Sequence, residues 1–156
     1  MSRFVLMVAA LLLTPTLSAG QSVQGVWQLI ERELRGGDAP GIESGAMIRP
    51  SFLFYQGNHY AYLIDNSDTV RVGIPEATDA QIVESISTLA VSAGTFEIVG
   101  SEIRYTRTFG LNPAAIQPEN QPQVRNLERV TANVLETSTT NAETGAKSIL
   151  RYRRVE

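Results

Sequence analysis

The chain has 156 residues, no cysteine, one histidine and a formal net charge of −3. Without cysteine there is no disulfide, no thiolate-bound metal and no thiol nucleophile, and one histidine excludes a site built on several imidazoles. The mild acidity argues against a broad phosphate-tracking surface, so no nucleic-acid partner is expected.

The first segment reads as a leader. Arg3 precedes an apolar stretch from Phe4 to Leu13, Pro15 breaks it, and Ser18, Ala19 and Gly20 are small residues suited to cleavage. This is the three-part layout of a secretory signal peptide, expected over residues 1–20, with one domain over 21–156. The apolar part is roughly ten residues against the ~20 that a spanning helix needs, so no membrane span is expected after cleavage. The expected location is periplasmic or secreted. A secreted domain without disulfides must hold together by burial and strand pairing alone.

Gly25 to Arg35 reads as a strand. Val26, Ile30 and Leu34 share one parity and Trp27, Leu29, Glu31 and Glu33 the other, so the face that begins with Trp27 turns acidic. Gly36-Gly37-Asp38 and Pro40-Gly41 are read as stops. Ala46 to Tyr55 and His59 to Asp65 flank Gln56-Gly57-Asn58, a hairpin signal, with Pro50 marking an edge or a bulge. Ile82, Ile86 and Leu89 recur at helical spacing behind Thr78 or Asp79 as cap, with Gln81 or Glu84 at the capping-box position, which predicts a helix from Asp79 to Ser92. Gly94 to Val99 and Glu102 to Phe109 flank the turn Gly100-Ser101. Asn112-Pro113, Gln117-Pro118 and Pro122 make an irregular connection. Gln123 to Thr131, Val134 to Ser138 and Lys147 to Val155 complete the series. About eight strands with one inserted helix predict a mainly β fold, an antiparallel up-and-down barrel wide enough for one small ligand.

Gly25-x-Trp27 at the first strand, and Arg151 or Arg153 on the last, resemble the lipocalin pattern in which an Arg packs over a strand-one Trp. The wider order resembles the bacterial lipocalin-like domain proteins of the calycin superfamily. It runs through Trp27, Phe52 to Tyr55, Gly57 with His59, the helix from Asp79, Gly100, Asn112-Pro113 and Arg125. The resemblance covers nearly all of the mature chain. It implies a barrel closed at one end by Gly25, Trp27, Arg151 and Arg153, and a binding cavity rather than an established reaction.

Within such a barrel Leu29, Phe52, Phe54, Tyr62 and Ile103 are the expected apolar lining, and Glu31, Tyr105 and Arg125 the polar groups that would orient a ligand. Arg104 and Arg107 stand on strands of the same wall. An inward Glu31 facing an inward Arg125 would satisfy both charges; the alternative places these charges in water. His59 follows directly on a turn and reads as a solvated residue. No Gly-x-Ser-x-Gly, Ser-x-x-Lys or phosphate-loop pattern occurs, and no metal or cofactor is expected. The reading is an exported barrel binding a small, partly apolar or amphipathic molecule. One alternative is a barrel-hosted isomerase or cyclase using Tyr105, Glu31 or His59. Another is an envelope protein-interaction module, resting on Pro50 and the Leu111 to Pro122 segment. Oligomeric state is left open.

Overall fold

A computed structural model describes residues 23–37, 40–44, 49–67 and 73–156. The leader expected over 1–20 lies outside the described residues. The elements in chain order are strands β1 (Gly25–Arg35), β2 (Gly41–Ser44), β3 (Phe52–Gln56) and β4 (His59–Asp65), helix α1 (Asp79–Ser87), and strands β5 (Leu89–Val99), β6 (Glu102–Gly110), β7 (Gln123–Val130), β8 (Val134–Thr140) and β9 (Lys147–Arg154). From β3 to β9 each strand pairs antiparallel with its sequence neighbour. β1 pairs with β3 on one edge and with β9 on the other, which closes the sheet. β2 pairs with Glu31 to Leu34 of β1 while β3 pairs with Gly25 to Gln28, so β2 and β3 form two pieces of one stave. The result is a closed eight-strand antiparallel barrel with one helix, as the strand pattern predicts.

Three boundaries differ from the sequence reading. Gly41, read as a stop, opens the short β2. The arm read as Ala46 to Tyr55 becomes a strand only at Phe52, after Pro50; residues 45–48 lie outside the described residues. The helix ends at Ser87, and Leu89 to Ser92 instead pair with Tyr62 to Asp65. The apolar spacing runs on through Leu89, but the sheet ladder claims that segment because its backbone groups need partners that an exposed helix end would not supply. Thr78 and Gln81 form the capping box the sequence indicates, and no residue of α1 is buried.

Three register shifts decide which side chains enter the barrel. In β1 the pairing with β9 steps from Leu29↔Tyr152 to Glu31↔Arg151, so Ile30 is an extra residue in a bulge. Trp27 and Leu29 point inward before it; past it, Arg32 pairs with buried Leu150, and Glu31 and Glu33 fall on the outer face. This corrects the expectation that Glu31 shares the inner face with Trp27, because one inserted residue reverses every later side chain. A second shift lies between Ala93 and Gly94 opposite β6, where a Cβ on Gly94 would run into the Thr106 carbonyl. The third, between Leu127 and Arg129, turns Glu128 out to Ser138 and Lys147.

The core fills the barrel toward one pole. Val23, Trp27, Leu29, Leu53, Tyr55, Tyr60, Phe96, Ile103, Tyr105, Leu135, Leu150 and Tyr152 form one buried cluster. Trp27 is fully buried and its indole N–H donates to the Val23 carbonyl at 2.7 Å. Above its ring lies the Arg154 guanidinium, 4.1 Å from the ring centroid. Arg154 in turn donates to the carbonyls of Ala132, at 2.6 Å, and Gln24. Gly25 makes room for this arrangement. Its φ is +118°, and a Cβ there would collide with the Arg154 side chain and the Glu156 carbonyl. The start of β1 is clamped to the residues after β9 beside it, with the Val26 N–H donating to the Glu156 carbonyl at 2.9 Å.

Candidate functional site

The opposite pole, where α1 and the 111–122 connection join the strands, keeps a cavity of about 60 Å³. Its apolar wall comes from Leu53 of β3, Tyr62 and Ile64 of β4, and Tyr152 of β9. Its polar wall comes from Arg107 of β6, Gln123 and Arg125 of β7, and Thr137 and Thr139 of β8, with Tyr105 between the two. Alternation places these groups: Ile103, Tyr105 and Arg107 share the inner parity of β6, Gln123 and Arg125 that of β7, and Leu135, Thr137 and Thr139 that of β8. Gln123 lies opposite Tyr105, and Arg125 opposite Ile103. Arg107 therefore sits one inward step nearer the rim than Tyr105, and Arg125 one step deeper than Gln123.

The connection before β7 fixes the Arg107 backbone. Asn112 caps a short 3-10 turn at Pro113–Ile116, and a second turn follows at Pro118–Asn120. The Gln121 side chain then imitates a strand. Its Oε1 accepts from the Arg107 N–H at 2.6 Å, and its Nε2 donates to the Arg107 carbonyl at 3.0 Å and the Ile116 carbonyl at 2.9 Å.

The electrostatics of the wall are one-sided. Among the described residues two guanidiniums reach the cavity and no carboxylate belongs to its lining. Among the described residues, the buried side-chain polar atoms without a hydrogen-bond partner are Arg107 Nε and Thr137 Oγ1, both on this wall. Beneath them is a tyrosine cluster. Tyr55 and Tyr105 share a hydrogen bond between their hydroxyls, Tyr60 meets Tyr105 edge-on with centroids 4.7 Å apart, and the Tyr60 hydroxyl bonds Ser92 Oγ at 3.0 Å. Burial pushes the hydroxyls of Tyr55, Tyr105 and Tyr152 up from the ordinary tyrosine value, and the charge of Arg125 opposes the rise in all three. Burial also raises Tyr60, countered by its bond to Ser92 and by nearby Arg107. These phenols stay neutral and serve as hydrogen-bonding groups and apolar surface.

Of the residues singled out in the sequence, Tyr62, Tyr105 and Arg125 come together on the cavity wall. Leu29 and Ile103 point inward but are consumed in the packed core below it. Phe52 and Phe54 lie on the outer face, where Phe54 is 42% exposed, because the inward positions of β3 are Leu53 and Tyr55. Glu31 is outside as well. Arg151 bridges it to Glu136, whose Oε2 accepts from Arg151 Nε at 2.9 Å, so the expected Glu31–Arg125 pair does not form. Arg151 and Arg153 do not cover Trp27; Arg154 does, since Arg153 turns out to Gln28 Oε1 at 2.8 Å. Arg104 faces outward onto Glu102 at 2.9 Å. His59 is exposed at its turn, so the acid–base groups named for a barrel enzyme are not assembled in one place. Arg107 was readable from its strand; Leu53, Ile64, Gln123, Thr137 and Thr139 were not singled out. For the threonines the signal is the spacing Leu135-x-Thr137-x-Thr139, which carries polar groups into an apolar face.

Among the described residues, no group of three or more His, Cys, Asp or Glu side chains is placed to hold a metal ion. No helix of the described residues is long and apolar enough to cross a membrane.

No protein-family model matches the chain, and no curated protein matches it. Its barrel is similar to the crystal structure of a lipocalin-like protein from Bacteroides uniformis ATCC 8492, at 15% identity and a TM-score of 0.45 over 83% of this chain and 97% of that one. An uncharacterized protein from Bacteroides eggerthii DSM 20697 is similar at 14% identity and a TM-score of 0.44, over 84% and 98%. A redesigned β barrel aligns at 11% identity and a TM-score of 0.42, over 92% and 100%. The likeness is one of fold, and closure of the barrel rests on this chain's own β1–β9 pairing.

Proposed function

We propose that this protein is an exported binding protein that holds a small molecule in the cavity at the α1 pole of its barrel. The observation that carries the reading is the asymmetry of the interior. One pole is packed solid around Trp27, while the other keeps a cavity with an apolar wall of Leu53, Ile64 and Tyr62 and a polar wall of arginine, glutamine and threonine. Small-molecule sites combine these two kinds of wall, the apolar one for affinity and the polar one for orientation. The size narrows the ligand. At roughly 10–15 Å³ per water-sized sphere, the cavity takes a molecule of only a few heavy atoms, far below the ~300–1,000 Å³ of a drug-sized site. Export rests on the leader pattern from Arg3 to Gly20.

The test is native mass spectrometry of the protein recovered from the cell envelope and from the medium, followed by denaturation. The expected result is a chain beginning near Gln21 with a small bound mass that denaturation releases. A chain that still begins at Met1 and stays in the cytoplasm would overturn export. A protein that binds nothing, natively or when challenged with small organic molecules, would overturn the carrier reading.

A further inference from the structure

Among the described residues no carboxylate balances the positive charge of the cavity wall, where the Arg107 guanidinium lies 6.0 Å from the centroid of the Tyr62 ring. Arg107 and Arg125 both line the cavity; among the described residues neither makes an ion pair and no lining residue is acidic. The outer face shows the contrast. There Arg35, Arg104 and Arg151 each have a glutamate partner, although water is at hand to solvate them. Charges on a buried wall are costly unless paired, so the arrangement on this wall is the one that calls for a counter-ion.

Two further groups point the same way. Arg107 Nε and Thr137 Oγ1 are buried and without partners, and both can donate a hydrogen bond. Thr137 is itself 1% exposed. Gln123 also lines this wall, its Nε2 donating to the Asn120 carbonyl at 2.6 Å. The facing wall of Leu53, Ile64 and Tyr62 has no charge to offer and suits a short hydrocarbon.

From this we infer that the ligand is a short-chain carboxylate, its anionic oxygens held by Arg107, Arg125 and the Thr137 hydroxyl and its short apolar tail against Leu53 and Ile64. The inference rests on the carrier reading above and adds the chemical class. A guanidinium presents a planar fork of donors that matches a carboxylate, and the cavity is too small for a long acyl chain.

The test is calorimetric titration of the purified protein with butyrate, with its neutral isostere butyramide and with inorganic phosphate. Butyrate is expected to bind, and butyramide to bind about tenfold or more weakly, the scale of one charge-assisted hydrogen bond. Arg107→Gln and Arg125→Gln are each expected to weaken butyrate by about tenfold or more and butyramide by a smaller factor. Arg107→Lys and Arg125→Lys keep the charge and guard against loss through misfolding; each is expected to recover part of the affinity. Equal binding of butyrate and butyramide, indifferent to both arginines, would overturn the carboxylate and leave a neutral-ligand carrier standing. Binding of phosphate in place of butyrate would overturn the apolar-tailed carboxylate. Binding of none of the three would overturn the inference.

Discussion

The two poles of this barrel treat polar groups in opposite ways. Around Trp27 the indole N–H and the Arg154 guanidinium both have partners, and the ring, the arginine, the start of β1 and the end of β9 lock together. At the α1 pole the interior keeps Arg107 Nε and Thr137 Oγ1 unpaired. Native interiors satisfy nearly all buried polar groups, so a pair of exceptions on one wall marks a place shaped for something other than stability.

The largest expected effect tests the sealed pole. Trp27→Ala removes a fully buried ring and leaves the Arg154 guanidinium without the ring beneath it, and is expected to lower stability by about 3–5 kcal/mol in urea unfolding. The next effect comes from the tyrosines between the poles. Burial raises Tyr55, Tyr105 and Tyr152 above the ordinary value near 10, so the unfolded chain loses these protons first. Their contribution is therefore full below about pH 10 and is lost as pH rises above it, by about 1.4 kcal/mol per pH unit for each tyrosine. Urea unfolding at a series of alkaline pH values would show this decline. Flat stability there would mean that the hydroxyls are not shielded.

The cavity pole should respond with the opposite sign. Thr137→Val deletes an unpaired buried hydroxyl at nearly constant shape, and is expected to raise stability by about 1 kcal/mol while weakening ligand binding. If it destabilises the protein, the hydroxyl has a structural role and the contrast between the poles fails. The smallest effect belongs to the outer face. Glu31→Gln weakens a partly exposed ion pair with Arg151, and is expected to change stability by less than about 1 kcal/mol and leave binding untouched. A loss of binding would return Glu31 to the site.

Much of the fold was legible because its signals are local. Alternation, the Gly57 and Gly100 turns and the Thr78–Gln81 capping box each depend on residues a few positions apart. Gly25 and Trp27 were legible from a motif instead, because the contacts that demand glycine at φ +118°, to Arg154 and the Glu156 carbonyl, come from the far end of the chain. The site was less legible because it depends on parity, and parity is reset by single extra residues. The Ile30 bulge moved Glu31 outside, and the pairing of Leu53 with inward Trp27 put Leu53 inside in place of Phe52 and Phe54. The first of these left a trace in the sequence: apolar positions switch from Trp27 and Leu29 to Ile30 and Leu34. Arg154 in place of Arg151 or Arg153 follows from the register of β9 on β1, which no local pattern encodes.

The most direct measurement is an amide-resolved NMR titration of the isotope-labelled protein with butyrate. The account expects saturable shifts at Arg107, Gln123, Arg125, Thr137 and Thr139, with the Trp27 indole N–H unmoved. Shifts centred on Trp27 or on the outer face around Phe54, with none along the Arg107–Thr139 wall, would contradict it.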